Sequence, residues 1–287
     1  MGAICGWFGK ERSHHVELLV ERLAHRGACA TTWALPPARA VAEHVSFGCV
    51  HDDTLAKRAE VPLVFTGTLL NAPELAQRAG LCATEIPADA ELLWRLYCRE
   101  GPDCFAHING QFALGAYDAQ TGALMLVTDR WSVQPLYFAV IEGAWVFASE
   151  YRAFLALDAF APQVDLIALA TLQRTKYLPT GRALLANVWP VAPGQFVRLF
   201  GTGACEARSY APLRLDIDER RSESLLAGQL SEALSHAARR LVAGHERIGI
   251  ALSAGLDSTV TTPLPMARQQ ARSRCLRPAV GCRRFGC

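Results

Sequence analysis

The stretch "ALSAGLDSTV" (residues 251–260) gathers the residue types that hold phosphate. Ser253, Gly255, Asp257 and Ser258 form a small-residue turn directly behind the apolar run "RIGIAL". Backbone amides freed by such a turn, with hydroxyls beside them, cradle anionic oxygens, and an adjacent carboxylate can hold a divalent cation. A serine- and glycine-rich turn is more often only a turn; the helix and buried strand that precede this one favour nucleotide binding. The remaining reactive side chains show less order. The ten cysteines include no C-x-x-C pair, which argues against a zinc site and against a disulfide framework in a chain of 287 residues. They read as small buried hydrophobes of a reducing cytoplasm. His14, His15, His25 and His51 lack metal-ligand spacing.

The elements that must position these residues follow from apolar periodicity. Residues 3–9 predict a buried strand. A helix follows from Ser13, its expected N-cap, with Val16, Leu19, Val20 and Leu23 on one face and Gly27 as its stop. After a turn-rich stretch with Pro36 and Pro37, residues 62–70 predict a strand and residues 88–101 a helix, Leu92, Leu93, Leu96 and Tyr97 on its inner face. Residues 110–118, 122–129, 135–141 and 144–150 predict an antiparallel meander covered on both faces. Asp129 and Arg130 are expected to form an ion pair at a strand end, and Trp131, Trp145 and Trp189 to be core or rim aromatics. The helix of residues 222–244, the strand "RIGIAL" and the loop read as the opening of a second, doubly wound domain.

Half the chain is apolar and a fifth is charged, with net charge +2. This is an ordinary soluble balance with no pull toward nucleic acid or membrane, no spanning segment and no secretory signal. The composition breaks after Ser258: no acidic residue follows, while six arginines and three cysteines crowd the end. Residues 261–287 are expected to be a basic, aberrant tail, frameshifted or disordered.

The order of short motifs resembles one family. "ICGWFG", "AHRG", "FTGTLLNAPEL", "DAE", "INGQFALGAYD", "TDRWSVQPLYF", "FASE", "VAPGQFVRL" and "ALSAGLDST" follow each other from residue 4 to residue 259 as they do in the glutamine-hydrolysing asparagine synthetases and their relatives. The resemblance implies an α+β N-terminal-nucleophile domain, an αββα sandwich, over residues 1–160. A bridge over 161–215 and the truncated start of an α/β parallel-sheet ATP-pyrophosphatase domain over 216–260 would follow. It implies ATP-dependent amide formation through an acyl-adenylate, with ATP and Mg²⁺ as cofactors. Glutamine and a small-molecule or peptide carboxylate are the implied substrates, the implied setting is cytoplasmic, and the assembly a homodimer.

Site residues follow from the same resemblance. Cys5 stands at the place of the nucleophile, whose thiolate would attack glutamine with its own free α-amine as base; four residues precede it, so that amine is blocked unless they are removed. Thr66, Gly67 and Thr68 replace the family's Asn-Gly-Glu, which weakens the oxyanion hole and the grip on glutamine, while Asp89 matches the aspartate for the α-ammonium group. No arginine for the glutamine carboxylate lies in residues 46–52. Leu252, Ser253, Gly255, Leu256, Asp257 and Ser258 are the implied pyrophosphate contacts, with Asp257 near Mg²⁺. These departures favour relatives with an inactive glutaminase, such as β-lactam synthetases and lasso-peptide macrolactam cyclases. A non-catalytic relic or partner-binding fragment is the reading from another class.

Overall fold

In the computed structural model the described residues are 2–10, 12–35, 44–51, 61–82, 86–215, 217, 220–243, 245, 248–251, 253, 255–261 and 274–276. The chain divides into two units, Met1–Leu213 and Arg214–Cys287.

Strand β1 (Ala3–Gly9) explains the architecture of the first unit. Successive strand residues face opposite sides, and both sides of β1 are apolar. Ala3, Cys5 and Trp7 pack with Val16, Leu19 and Val20 of α1 (Ser13–Leu23), while Ile4 and Phe8 pack on the opposite side among Val64, Ala113 and Leu126. A strand buried on both faces must be central. It is flanked in an antiparallel six-stranded sheet by β3 (His44–His51) and β8 (Ala144–Ala148), beyond which lie β2 (Cys29–Ala34), β7 (Tyr137–Ile141) and β9 (Trp189–Pro190). The facing five-stranded sheet is also antiparallel and runs β11-β10-β6-β5-β4. Its strands are β4 (Leu63–Leu69), β5 (Gly110–Asp118), β6 (Ala123–Thr128), β10 (Gln195–Phe200) and β11 (Cys205–Ser209). Its outer face is covered by α2 (Ala72–Arg78) and α3 (Asp89–Glu100), with Leu92, Leu93 and Leu96 against Leu63, Leu69 and Phe112. The layers are therefore helix, sheet, sheet, helix.

Several local expectations change. Helix α1 opens at Ser13, so Arg12 holds the cap position and makes no side-chain capping bond. Asp129 and Arg130 form no ion pair with each other. The buried Asp129 carboxylate instead accepts from the amides of Phe112 (3.1 Å), Trp131 (2.9 Å), Val133 (3.2 Å) and Gln134 (3.2 Å), while Arg130 donates to the Ala106 carbonyl. Four amides solvate the charge in place of water, so no cation is required. Trp145 is buried, whereas Trp131 and Trp189 are exposed. Within the stretch 161–215, expected as a bridge, residues through Leu213 lie in the first unit. α4 (Leu166–Thr175) is capped by Asp165, which accepts from the Ile167 and Ala168 amides, and β9, β10 and β11 complete the two sheets. The apolar side chains of β10, Phe196, Val197 and Leu199, are buried on both faces, which ties this segment into the first unit.

In the second unit, α5 (Glu223–Val242) is capped by Ser222, whose hydroxyl accepts from the Leu225 amide. Leu226, Leu230 and Leu241 of its apolar stripe are exposed. β12 (Gly249–Ala251) leads through the loop to α6 (Leu256–Thr261) and pairs in parallel with β13 (Arg274–Leu276), which lies in the stretch expected to be a disordered tail. Among the described residues no helix is long and apolar enough to cross a membrane.

Candidate functional site

The two ends of β4 differ in chemistry, and its C-terminal end gathers the residues the sequence singled out. Thr66 is buried and Thr68 is exposed. Between them Gly67 has φ +129°, and a Cβ there would run into the Gln111 carbonyl of β5. Glycine alone fits this backbone. Asp89 opens α3, which packs on β4. The direction of α3 follows from its other end: the Tyr97 hydroxyl donates to Asp118, just beyond Ala116, the β5 partner of Leu63. The start of α3 therefore lies toward the Thr66–Thr68 end. Burial pushes the Asp89 carboxyl up, and no cation among the described residues offsets it.

Cys5 does not reach this place. It is an odd-numbered residue of β1 and so faces α1. Its thiol is fully buried, donates weakly to the Gly48 carbonyl at 3.7 Å, and lies with Val16 and Val20 around the bare Gly48 Cα. Burial pushes the thiol far above its ordinary range, which disfavours the thiolate that a nucleophile requires. The residue that meets Thr66 is Gly2, on the Ile4–Phe8 side of the strand. A Cβ on Gly2 would stand 2.9 Å from the Thr66 hydroxyl and 2.7 Å from the Val50 carbonyl. The strand period of two puts Cys5 on the opposite face from Ile4 and Phe8, but with both faces apolar it does not say which face meets Thr66.

A second group holds the start of β1 in place. Arg26, within the quoted "AHRG" but not singled out, donates from Nε (3.3 Å) and Nη2 (3.1 Å) to the Gly2 carbonyl. It also reaches Glu150 from Nη1 and Gln134 from Nη2, both at 3.4 Å, and His25 Nε2 lies 3.0 Å from the same Glu150 oxygen. Two bonds between Ile4 and Ser149 add to the clamp. His51, at the place where an arginine was sought, has its Nδ1 buried without a partner.

The loop of the second unit stands between β12 and α6, the strand–turn–helix context expected of a phosphate loop. Ser253 Oγ lies 2.8 Å from Ser258 Oγ, the Gly255 amide donates to Ser253 Oγ and the Ser253 amide to Ser258 Oγ. Leu256 and Asp257 form the first turn of α6, and Leu252 lies outside the described residues. Hydroxyls and amides thus converge on one short turn, a donor set that suits pyrophosphate. No cluster of three or more potential metal ligands occurs among the described residues.

Comparison with known proteins bears on the first unit. A family profile described as "Glutamine amidotransferase domain" matches residues 1–211. The chain belongs to this family. The amidotransferase unit is 25% identical over 213 residues to a putative glutamine-hydrolysing asparagine synthetase of Methanocaldococcus jannaschii, covering 73% of this chain and 41% of that protein. It is 28% identical over 176 residues to the amidase chyE of Penicillium rubens, covering 60% and 25%. The chain thus spans less than half the length of these relatives. Among solved structures, the glutamine phosphoribosylpyrophosphate amidotransferase of B. subtilis, complexed with ADP and GMP, superposes with TM-score 0.53 at 14% identity over 93% of this chain and 64% of that one. The αββα layering is that of the N-terminal-nucleophile amidotransferase fold.

Proposed function

We propose that the chain is the amidotransferase portion of an ATP-dependent, amide-forming ligase of the asparagine-synthetase type, and that its amidotransferase unit does not hydrolyse glutamine. The observation that carries the second half is Gly2. Hydrolysis needs a nucleophile beside the oxyanion donors, and the position meeting Thr66 has no side chain, while the thiol three residues on is sealed under α1. Asp89, at the start of α3, would hold an α-ammonium group, so glutamine binding and glutamine cleavage would separate.

Support for the ligase half is the family and the loop at 253–258. Ser253, Ser258 and the amides of Gly255 and Leu256 would hold pyrophosphate by exchanging their internal bonds for anionic oxygens, with Asp257 beside Mg²⁺. ATP, when bound, supplies the adenylyl group that turns a carboxylate into an acylating agent. The nitrogen then comes from free ammonia or from an amine of the substrate. An inactive glutaminase favours that route, used by β-lactam synthetases and lasso-peptide macrolactam cyclases, over glutamine-dependent asparagine formation. A small-molecule or peptide carboxylate is the acceptor, and the assembly a homodimer.

The test is ammonia release from glutamine by the purified chain, beside its thermal shift with ATP and Mg²⁺. No ammonia above a Cys5→Ala control and a rise in melting temperature are expected. Release that Cys5→Ala abolishes would overturn the reading of the first unit. An unmoved melting temperature would favour the non-catalytic relic, for which the observation is that the described residues of the second unit form one parallel strand pair and two helices.

A further inference from the structure

A cavity of about 1000 Å³ opens at the other end of the first unit from Thr66. Its walls include Trp33 of β2, Pro62 at the entry to β4, Trp94 and Tyr97 of α3, Tyr117 of β5 and Arg198 of β10. Pro62 and Thr66 are roughly 13 Å apart along the strand at about 3.3 Å per residue, so the cavity is separate from the site described above. Its size is at the upper end of small-molecule pockets, roughly 300–1,000 Å³.

The walls have a specific chemistry. Trp94 and Tyr97 stack on each other at 5.7 Å between centroids, and Tyr97 stacks in turn on Phe105 at 6.1 Å, so this wall is aromatic. The acid in the wall is already satisfied: Asp118 accepts from the Tyr97 hydroxyl at 3.0 Å through one oxygen and from the Gln120 and Thr121 amides through the other. The cation is not. Arg198 is half-buried, its guanidinium carbon lies 5.6 Å from the Phe196 ring centroid, and among the described residues it has no hydrogen-bond acceptor or carboxylate partner. Five guanidinium donors beside aromatic faces suit a flat ligand bearing an anionic oxygen group.

We propose that this cavity binds a planar aromatic anion, an aryl carboxylate or sulfonate, with its ring against the Trp94–Tyr97 side and its charge on Arg198. The inference does not depend on the reading of the amidotransferase or ATP sites. The probe is 1-anilinonaphthalene-8-sulfonate, titrated by fluorescence into the full chain beside the uncharged N-phenyl-1-naphthylamine. Arg198→Gln is expected to weaken the anionic dye about tenfold, the scale of one charge-assisted hydrogen bond, and to leave the neutral dye unchanged. Arg198→Lys, which keeps the charge, should retain most of the anionic dye's affinity. Cys98→Trp, which fills the cavity from the exposed rim of α3, should weaken both dyes. Equal affinity of the sulfonate for the parent chain and Arg198→Gln overturns the proposal, as does equal loss of both dyes in that variant. Undiminished binding in Cys98→Trp places the dyes elsewhere and overturns it too.

Discussion

If Cys5 is a packing residue, its chemistry is governed by unfolding rather than by a base. The perturbation is alkylation with iodoacetamide under native conditions. Cys82 and Cys98 are exposed, whereas Cys5 has no accessible surface and lies below α1. Labelling Cys5 therefore requires the strand–helix contact to open. If that opening is as costly as unfolding a marginally stable domain, at least about 5 kcal/mol, the open fraction is on the order of 10⁻⁴. Cys5 should then react roughly 10³ to 10⁴ times more slowly than Cys82 or Cys98, a gap that collapses in denaturant. Peptide mass mapping over a time course reads each site separately. Labelling of Cys5 within tenfold of Cys98 in the native chain would refute the placement of its thiol. Cys5→Ala should cost about 1–2 kcal/mol, the scale of a small buried truncation, without changing any ammonia release.

Three further outcomes follow from the same unit. Asp129→Ala removes the buried carboxylate that accepts from four amides, those of Phe112 and Gln134 in buried bonds, and should destabilise the unit by about 3–5 kcal/mol in a urea titration, far more than Arg130→Ala at the neighbouring exposed position. Gly67→Ala meets both a φ of +129° and the Gln111 carbonyl, and should cost about 2–3 kcal/mol with a matching fall in melting temperature. Asp89 has a folded-state pKa above its unfolded value, so its charge penalises the fold above that raised value, and the penalty disappears as pH falls below the unfolded value near 4. Asp89→Asn should therefore raise the melting temperature at pH 7 and leave it unchanged near pH 3; an equal rise at both would assign the effect to packing.

What was legible from sequence was what periodicity or capping decides locally. The run Ala3–Gly9, the meander from Gly110 to Ala148 and the Ser222-capped α5 all carry their patterns on the surface of the sequence. β3 does not: Ser46 and Gly48 interrupt its apolar run, and it is a strand because β1 and β2 bond to it on either side. β9, β10 and β11 read as a bridge because membership of a distant sheet is a non-local fact, visible only when Phe196 pairs with Val127. The site divides in the same way. Gly67 and Asp89 were identified by their motifs, and their geometry supplies physical reasons for those residue types. Cys5 is singled out by its type in a motif, and its burial under α1 is not legible there because β1 is buried on both sides, so that an apolar run alone does not say which residues face Thr66.

The C-terminal end of β4 joins costs to an absence. Burial raises the half-buried Asp89 carboxyl and no cation among the described residues offsets it, which costs the fold stability, and Gly67 gives up chain entropy for a backbone that other residues resist. Neither feature helps the sandwich stand, since β4 already pairs with β5 along its length and packs on α3. A cation such as the α-ammonium group of the proposed ligand would remove that penalty. Gly2, whose missing Cβ would meet Thr66, offers no atom beyond the backbone, and Arg26 holds that backbone by its carbonyl. On the proposed reading, this end of the unit would still recognise an amino acid and would lack the group that breaks its amide. Glutamine should bind without turning over, and its binding should raise the melting temperature of the parent chain more than that of Asp89→Asn.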